Sequence, residues 1–219
     1  MYADEVTLDL ILNAYLNGLF PMSDDRSDKN IFWVDPEERG IFPLNEFHCP
    51  KSLKKFIRKA PFKVKINTAF RDVMQACAAP DKGRQSTWIS HDIEEIYCDL
   101  HEQGFAHSVE CWQDDNLVGG LYGVCIRGAF FGESMFSRVA NASKVALVYL
   151  VARLKKGQFS LLDSQFQTDH LKTLGCVEMQ KQDYKIVLNH AIANEDADFY
   201  SLSADTSPSD VLQLITQTS

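Results

Sequence analysis

Much of what usually announces a chemistry is missing from this 219-residue chain. No window approaches the roughly 18 consecutive apolar residues of a membrane span, so no membrane partner is expected. The amino terminus, MYADEVTLDL, is acidic and lacks a basic stretch followed by an apolar one, so no secretory leader is expected. Cys49, Cys77, Cys98, Cys111, Cys125 and Cys176 form no C-x-x-C pair, and several sit in apolar segments. They read as reduced, mostly buried thiols of a cytoplasmic protein. His101 and His107 in HEQGFAH lack the spacing of a zinc-protease helix, and Gly104 breaks the pattern between them, so no metal is expected. There is no G-x-S-x-G elbow, no Walker sequence and no dinucleotide fingerprint. A net charge of -8 argues against general nucleic-acid binding.

Charge is nevertheless unevenly spread. From Phe47 to Arg71 there is no acidic residue, while Lys51, Lys54, Lys55, Arg58, Lys59, Lys63, Lys65 and Arg71 all fall there. Such a segment can hold phosphates locally, or it can be a solvated helix face followed by a basic strand. Charge alone does not choose between the two.

Hydrophobic periodicity predicts the elements. Leu8, Ile11, Leu12, Tyr15, Leu16 and Leu19 have helical spacing, stopped by Gly18 and Pro21. IFWVDPEERGIFPL reads as short extended pieces and turns, and PKSLKKFIRKAP as a short basic helix. FKVKIN alternates as a strand, and Phe70–Cys77 and Ile93–Leu100 mark helices. AHSVECW and LVGGLYGVCI read as strands joined by a QDDN turn, with GAFFGESMF as a third. NASKVALVYLVARLKKGQ is a helix apolar on nearly every side, and so central. A strand at FSLLDSQ, a short helix at TDHLKTLG, a strand near CVEM and a helix at DYKIVLNHAIA follow. This order predicts an α+β fold with helices packed on a mixed sheet, matching the GNAT acyltransferase arrangement. Three parts are expected: residues 1–60 as a small N-terminal domain with the basic helix, 61–192 as a GNAT-like catalytic domain, and 193–219 as a polar tail with a last helix at SPSDVLQLITQ.

Several residues carry possible chemistry. Glu133 lies in FFGESMF, where a carboxylate is costly unless paired. It reads as a site residue or as a buried ion pair with Arg138 or Lys144. Asp163, at a strand end leading to a helix, reads as a site residue or a cap. Ser143–Lys144 reads as a Ser-Lys pair or as a helix start with a surface or phosphate-facing Lys. Trp33 and Trp88 read as core or as platforms for a nucleobase. A GNAT enzyme holds the coenzyme A pyrophosphate on a Gly-rich turn. The equivalent junction here, SRVANASK, has no glycine.

The segments AYLNGLFPM, FWVDPEERG, TWIS, LHEQGFAHSVECW, LVGGLYGV, FFGESMFSR, ASKVAL, LLDSQ and HLKTLG, in that order, resemble the leucyl/phenylalanyl-tRNA–protein transferase family. The resemblance covers about residues 7 to 190 and suggests a short form. It implies transfer of Leu or Phe, and less well Met, from aminoacyl-tRNA to proteins with N-terminal Arg or Lys. The product would be a degradation signal, made without a cofactor by a monomer. It implies Asp163 as base or positioner, with Gln165 and Glu133 beside it. It puts Trp33, Trp88, Tyr15 and Tyr97 at the terminal adenosine of the tRNA. The donor side-chain pocket would be Leu121, Met135, Leu147, Leu150 and Leu154. Lys51, Lys54, Lys55, Arg58 and Lys59 would hold the tRNA backbone. On this reading Asp163→Ala should keep the fold and lose activity. The alternative is an acyl-CoA-dependent N-acetyltransferase, which coenzyme A should stabilise against heat.

Overall fold

The computed structural model describes residues 6–80 and 86–217. In chain order the elements are α1 (Leu8–Leu16), β1 (Phe20–Met22), β2 (Phe32–Val34), β3 (Glu38–Phe42), a 3-10 turn (Leu44–Glu46), α2 (Lys51–Ile57), β4 (Lys63–Ile66), α3 (Phe70–Ala78) and α4 (His91–Glu102). They continue with β5 (Ala106–Gln113), β6 (Asn116–Ile126), β7 (Ala129–Ser137), α5 (Ala142–Lys156), β8 (Leu161–Gln165), α6 (Asp169–Lys172), β9 (Val177–Gln180), α7 (Lys181–Ile192) and α8 (Pro208–Leu214).

Local chemistry explains many of these boundaries. Thr7 and Ser90 cap α1 and α4 through their hydroxyls, and Ser207 caps α8 ahead of Pro208. Helix α3 has no cap of its own; buried Glu110 on β5 accepts from the amides of Thr68 and Ala69, each at 2.8 Å. Asp114 and Asp115 both take positive φ, the backbone of a tight hairpin turn between β5 and β6.

Seven strands form one sheet in the order β4-β5-β6-β7-β8-β3-β9, and β1 pairs with β2 separately. Only β7 and β8 are parallel; the other pairings are antiparallel. The fold is thus α+β, as the periodicity predicts. The sequence reading leaves β3 as an extended piece, whereas the structure inserts it between β8 and β9.

Helices cover both faces. Residues of α5, α2 and α8 share one apolar cluster with one side of the sheet; α1, α3, α4 and α7 share another with the other side. Helix α5 buries eleven of its residues, consistent with its apolar circumference. The stretch beyond residue 193 is polar in composition, yet Phe199, Leu202, Val211, Leu212 and Ile215 are buried in the same cluster as α5. Among the described residues the six cysteines form no disulfide with one another. Among the described residues no helix is long and apolar enough to cross a membrane.

Candidate active site

A defect in the sheet places Glu133. Tyr122 pairs with Ser134 and Gly123 with Gly132, so Glu133 is the extra residue of a β-bulge. The bulge reverses the alternation of β7. Phe131 and Phe136 both join the α1/α3/α4/α7 cluster, while Phe130 and Met135 pack on the α5 side. Glu133, half-buried at this crossover, accepts from Tyr15 Oη at 2.7 Å, Gln165 Nε2 at 2.9 Å and Tyr97 Oη at 3.3 Å. The Tyr15 and Tyr97 hydroxyls also lie within hydrogen-bond reach of each other, so their two protons alternate between that contact and Glu133. Burial pushes the Glu133 carboxyl from 4.5 up to about 8, against the Tyr15 hydrogen bond and with the help of Asp163's charge. The alternative reading, an ion pair with Arg138 or Lys144, does not form. Arg138 instead donates to the Leu117 carbonyl.

Asp163 lies deeper, with no exposed surface. Arg39 Nε donates to both of its oxygens at 3.0 Å, and Arg39 Nη2 to Oδ2 at 2.7 Å. Tyr184 Oη donates to Oδ2 at 2.6 Å and the Gln165 amide to Oδ1 at 2.7 Å. Arg39 in turn donates to the Gly18 carbonyl and lies 4.7 Å from the ring centres of both Phe20 and Tyr184. A carboxylate so fully occupied is a rigid anchor. Removing it would strand a buried guanidinium, so the expectation that Asp163→Ala spares the fold gives way.

The anchor shapes the backbone beside it. Gln165 has φ 57° although it is not glycine, a strained conformation held by the hydrogen bond its backbone N–H donates to Asp163 Oδ1. That kink turns the Gln165 carboxamide to Glu133. It also brings Phe166 against β3, where only Gly40 fits: a Cβ there would lie 2.5 Å from the Phe166 carbonyl carbon.

Strands β7 and β8 pair only from Ala129 to Phe131 and from Leu161 to Asp163, then diverge. At the divergence a cavity of about 220 Å³ opens. Its apolar wall includes Phe42, Leu121, Met135, Leu147, Leu150 and Leu162, and Glu133, Asp163 and Ser164 stand along its polar edge. An engineered apolar cavity of about 150 Å³ holds benzene, so one Leu or Phe side chain fits here.

The structure therefore gathers Leu121, Met135, Leu147 and Leu150 with Glu133 and Asp163, and Gln165 joins them through Glu133. Leu154 does not line the cavity; it is fully buried one turn further along α5. Tyr15 and Tyr97 present no face for a nucleobase, since both are wholly buried; their hydroxyls serve Glu133. Trp33 and Trp88 are half-buried on the opposite cluster and outside the cavity lining. Lys51, Lys55, Arg58 and Lys59 are exposed on or just after α2, with Lys54 half-buried. Sequence reasoning missed Arg39 and Tyr184. Arg39 shares a strand face with Ile41, a core residue, and that pairing was the available signal.

Comparison with known proteins fits this geometry. The leucyl/phenylalanyl-tRNA protein transferase family model matches residues 41–189, and the model of that family's N-terminal domain matches residues 4–37. The leucyl/phenylalanyl-tRNA–protein transferase of Phenylobacterium zucineum is 54% identical over 214 residues, 95% of this chain and 96% of the relative. That of Caulobacter vibrioides is 50% identical over 216 residues, 99% of each chain. That of Rhodospirillum rubrum is 52% identical over 187 residues, 85% of this chain and 88% of the relative. With a family model over more than half of its length and relatives half identical along nearly all of it, the chain belongs to the leucyl/phenylalanyl-tRNA protein transferase family.

Proposed function

We propose that this aminoacyltransferase moves Leu or Phe, and less readily Met, from aminoacyl-tRNA to the α-amino group of proteins that begin with Arg or Lys, marking them for degradation. The observation that carries the reading is an apolar cavity of about 220 Å³ with a carboxylate of pKa about 8 at its wall. The divergence of parallel strands around the cavity suits a GNAT-like arrangement, with an ester of tRNA in place of a coenzyme A thioester.

The donor ester is already activated, so alignment, a proton acceptor and support for the oxyanion suffice. With the donor side chain in the cavity, its carbonyl meets the Glu133–Gln165 edge. The neutral α-amine attacks the carbonyl carbon, a C–N bond forms and the carbonyl electron pair moves to oxygen. Collapse re-forms the carbonyl and breaks the ester C–O bond. Glu133 takes the amine proton and returns it to the departing ribose oxygen.

An α-amine has an ordinary pKa of about 7.7–8.0. That matches Glu133 at about 8, so neither transfer is steeply uphill. Gln165, oriented by Glu133, positions the reacting groups. Asp163 is a positioning residue that acts through Arg39, Tyr184 and the Gln165 backbone. The basic α2 segment serves the tRNA backbone.

The deciding experiment mixes the protein with labelled leucyl-tRNA and an Arg-initiated peptide. Labelled peptide is the expected product. No label from leucyl-tRNA, with acylation from acetyl-CoA instead, would overturn the reading.

A further inference from the structure

The outer wall of the cavity is formed by Thr168, His170 and Leu171, on α6 and the turn before it. Across from them, Leu147 and Leu150 of α5 reach into the cavity. Lys144 lies three residues before Leu147, on the same helix face and one turn nearer the start of α5. It is half-buried and close enough to His170 to act on it. Burial, and after it the charge of Lys144, lower the His170 pKa. Both causes favour the neutral imidazole, which offers an N–H, while Lys144 supplies the charge. Among the described residues no carboxylate is ion-paired with either side chain. The first turn of α5 also has no acidic residue, and Asn141 makes no side-chain cap. In a chain of net charge -8, an ammonium without a carboxylate partner, one helical turn from a cavity-lining leucine, is a local reversal of sign.

Resting on the transferase reading, we propose that Lys144 and His170 bind the phosphodiester next to the donor's terminal adenosine. With the amino-acid side chain in the cavity and its ester at Glu133, the adenosine leads out over the mouth. The first phosphodiester then lies one ribose away from the ester. Lysine and an imidazole N–H suit a phosphate oxygen. The Lys144 ammonium repels an acceptor that begins with Arg or Lys. Charge therefore divides the entrance: the donor passes along α5 and α6, and the cationic acceptor comes from the Glu133 side.

The test compares leucyl-adenosine, which has no phosphodiester, with leucylated CpA, which has one. Wild-type protein, Lys144→Gln and His170→Gln are assayed with an Arg-initiated peptide. Lys144→Gln is expected to raise KM for leucylated CpA about tenfold, as loss of a charged hydrogen bond does. His170→Gln, an exposed and structurally mild change, should raise it less. Lys144→Gln should not alter KM for leucyl-adenosine or for the peptide; His170→Gln, whose side chain also lines the donor cavity, is read by the ratio of its KM values for the two donors. Equal effects on both donors, no effect on either, or a change confined to the peptide KM would each overturn the assignment. Failure of the wild-type protein to transfer leucine from any donor, leucyl-tRNA included, would instead overturn the transferase reading beneath it.

Discussion

Glu133 and Asp163 are both carboxylates at the edge of one cavity, and their surroundings give them different work. Glu133 receives neutral donors only and borders open space; Asp163 is locked by a guanidinium, a phenol and an amide. Transfer should therefore rise as pH increases from 7 towards 8.5, more steeply than titration of the α-amine alone allows. Glu133→Gln should cost about 10²–10⁴ in rate and leave only the amine's own pH dependence. A wild-type profile that is flat across this range would remove Glu133 as the proton acceptor. The same carboxyl affects stability. Its pKa is raised on folding, so between 4.5 and about 8 the folded state holds a proton that the unfolded state has released. Stability from this group thus falls as pH rises through that window. Glu133→Gln should melt higher than wild type at pH 8.5 and near it at pH 5. Asp163→Ala, in contrast, should lose about 3–5 kcal/mol in urea titrations by orphaning Arg39. Arg39→Met with Asp163→Leu should recover much of that loss without recovering activity. At this scale the sequence was half legible. A carboxylate among phenylalanines stands out in FFGESMF, but Arg39 in DPEERG looks like one more solvated charge.

The elements show where local pattern stops informing. Strands β5, β6 and β7 alternate plainly, and the doubled Asp at positions 114 and 115 announces their turn. The bulge at Glu133 was hidden, because an extra residue changes facing without changing composition. Strand β3 was hidden for another reason: its partners β8 and β9 lie more than a hundred residues further on. Its role gives Gly40 a test. Gly40→Ala should push the Phe166 backbone from β3, relax the kink at Gln165 and lower transfer at least tenfold, with a modest loss in melting temperature. Unchanged activity would show that the kink tolerates displacement. For α2, neutralising Lys54, Lys55 and Arg58 together should flatten the salt dependence of tRNA binding by roughly one unit of slope per lost phosphate contact. An unaltered slope would assign the basic helix to plain solvation.

At the scale of the whole molecule, two apolar clusters clamp one sheet, and the last twenty or so residues belong to one of them. Phe199, Leu202, Val211, Leu212 and Ile215 each bury an amount of surface worth about 1.5–3 kcal/mol. Together they rival the ~5–15 kcal/mol by which a domain is stable. Truncation after residue 196 should therefore abolish cooperative melting and near-ultraviolet dichroism; a sharp transition in the shortened chain would show that the segment only decorates the fold. Composition concealed this, since the apolar residues are spaced among many polar ones. The strand order has a consequence for synthesis as well. Strand β3 leaves the ribosome early, but its neighbours follow only when translation reaches residues 161 to 180. At ordinary elongation rates Arg39 waits on the order of 10 s for Asp163. A nascent chain therefore carries the anchor's cation long before its carboxylate, and no active centre exists until nearly the whole polypeptide has been made.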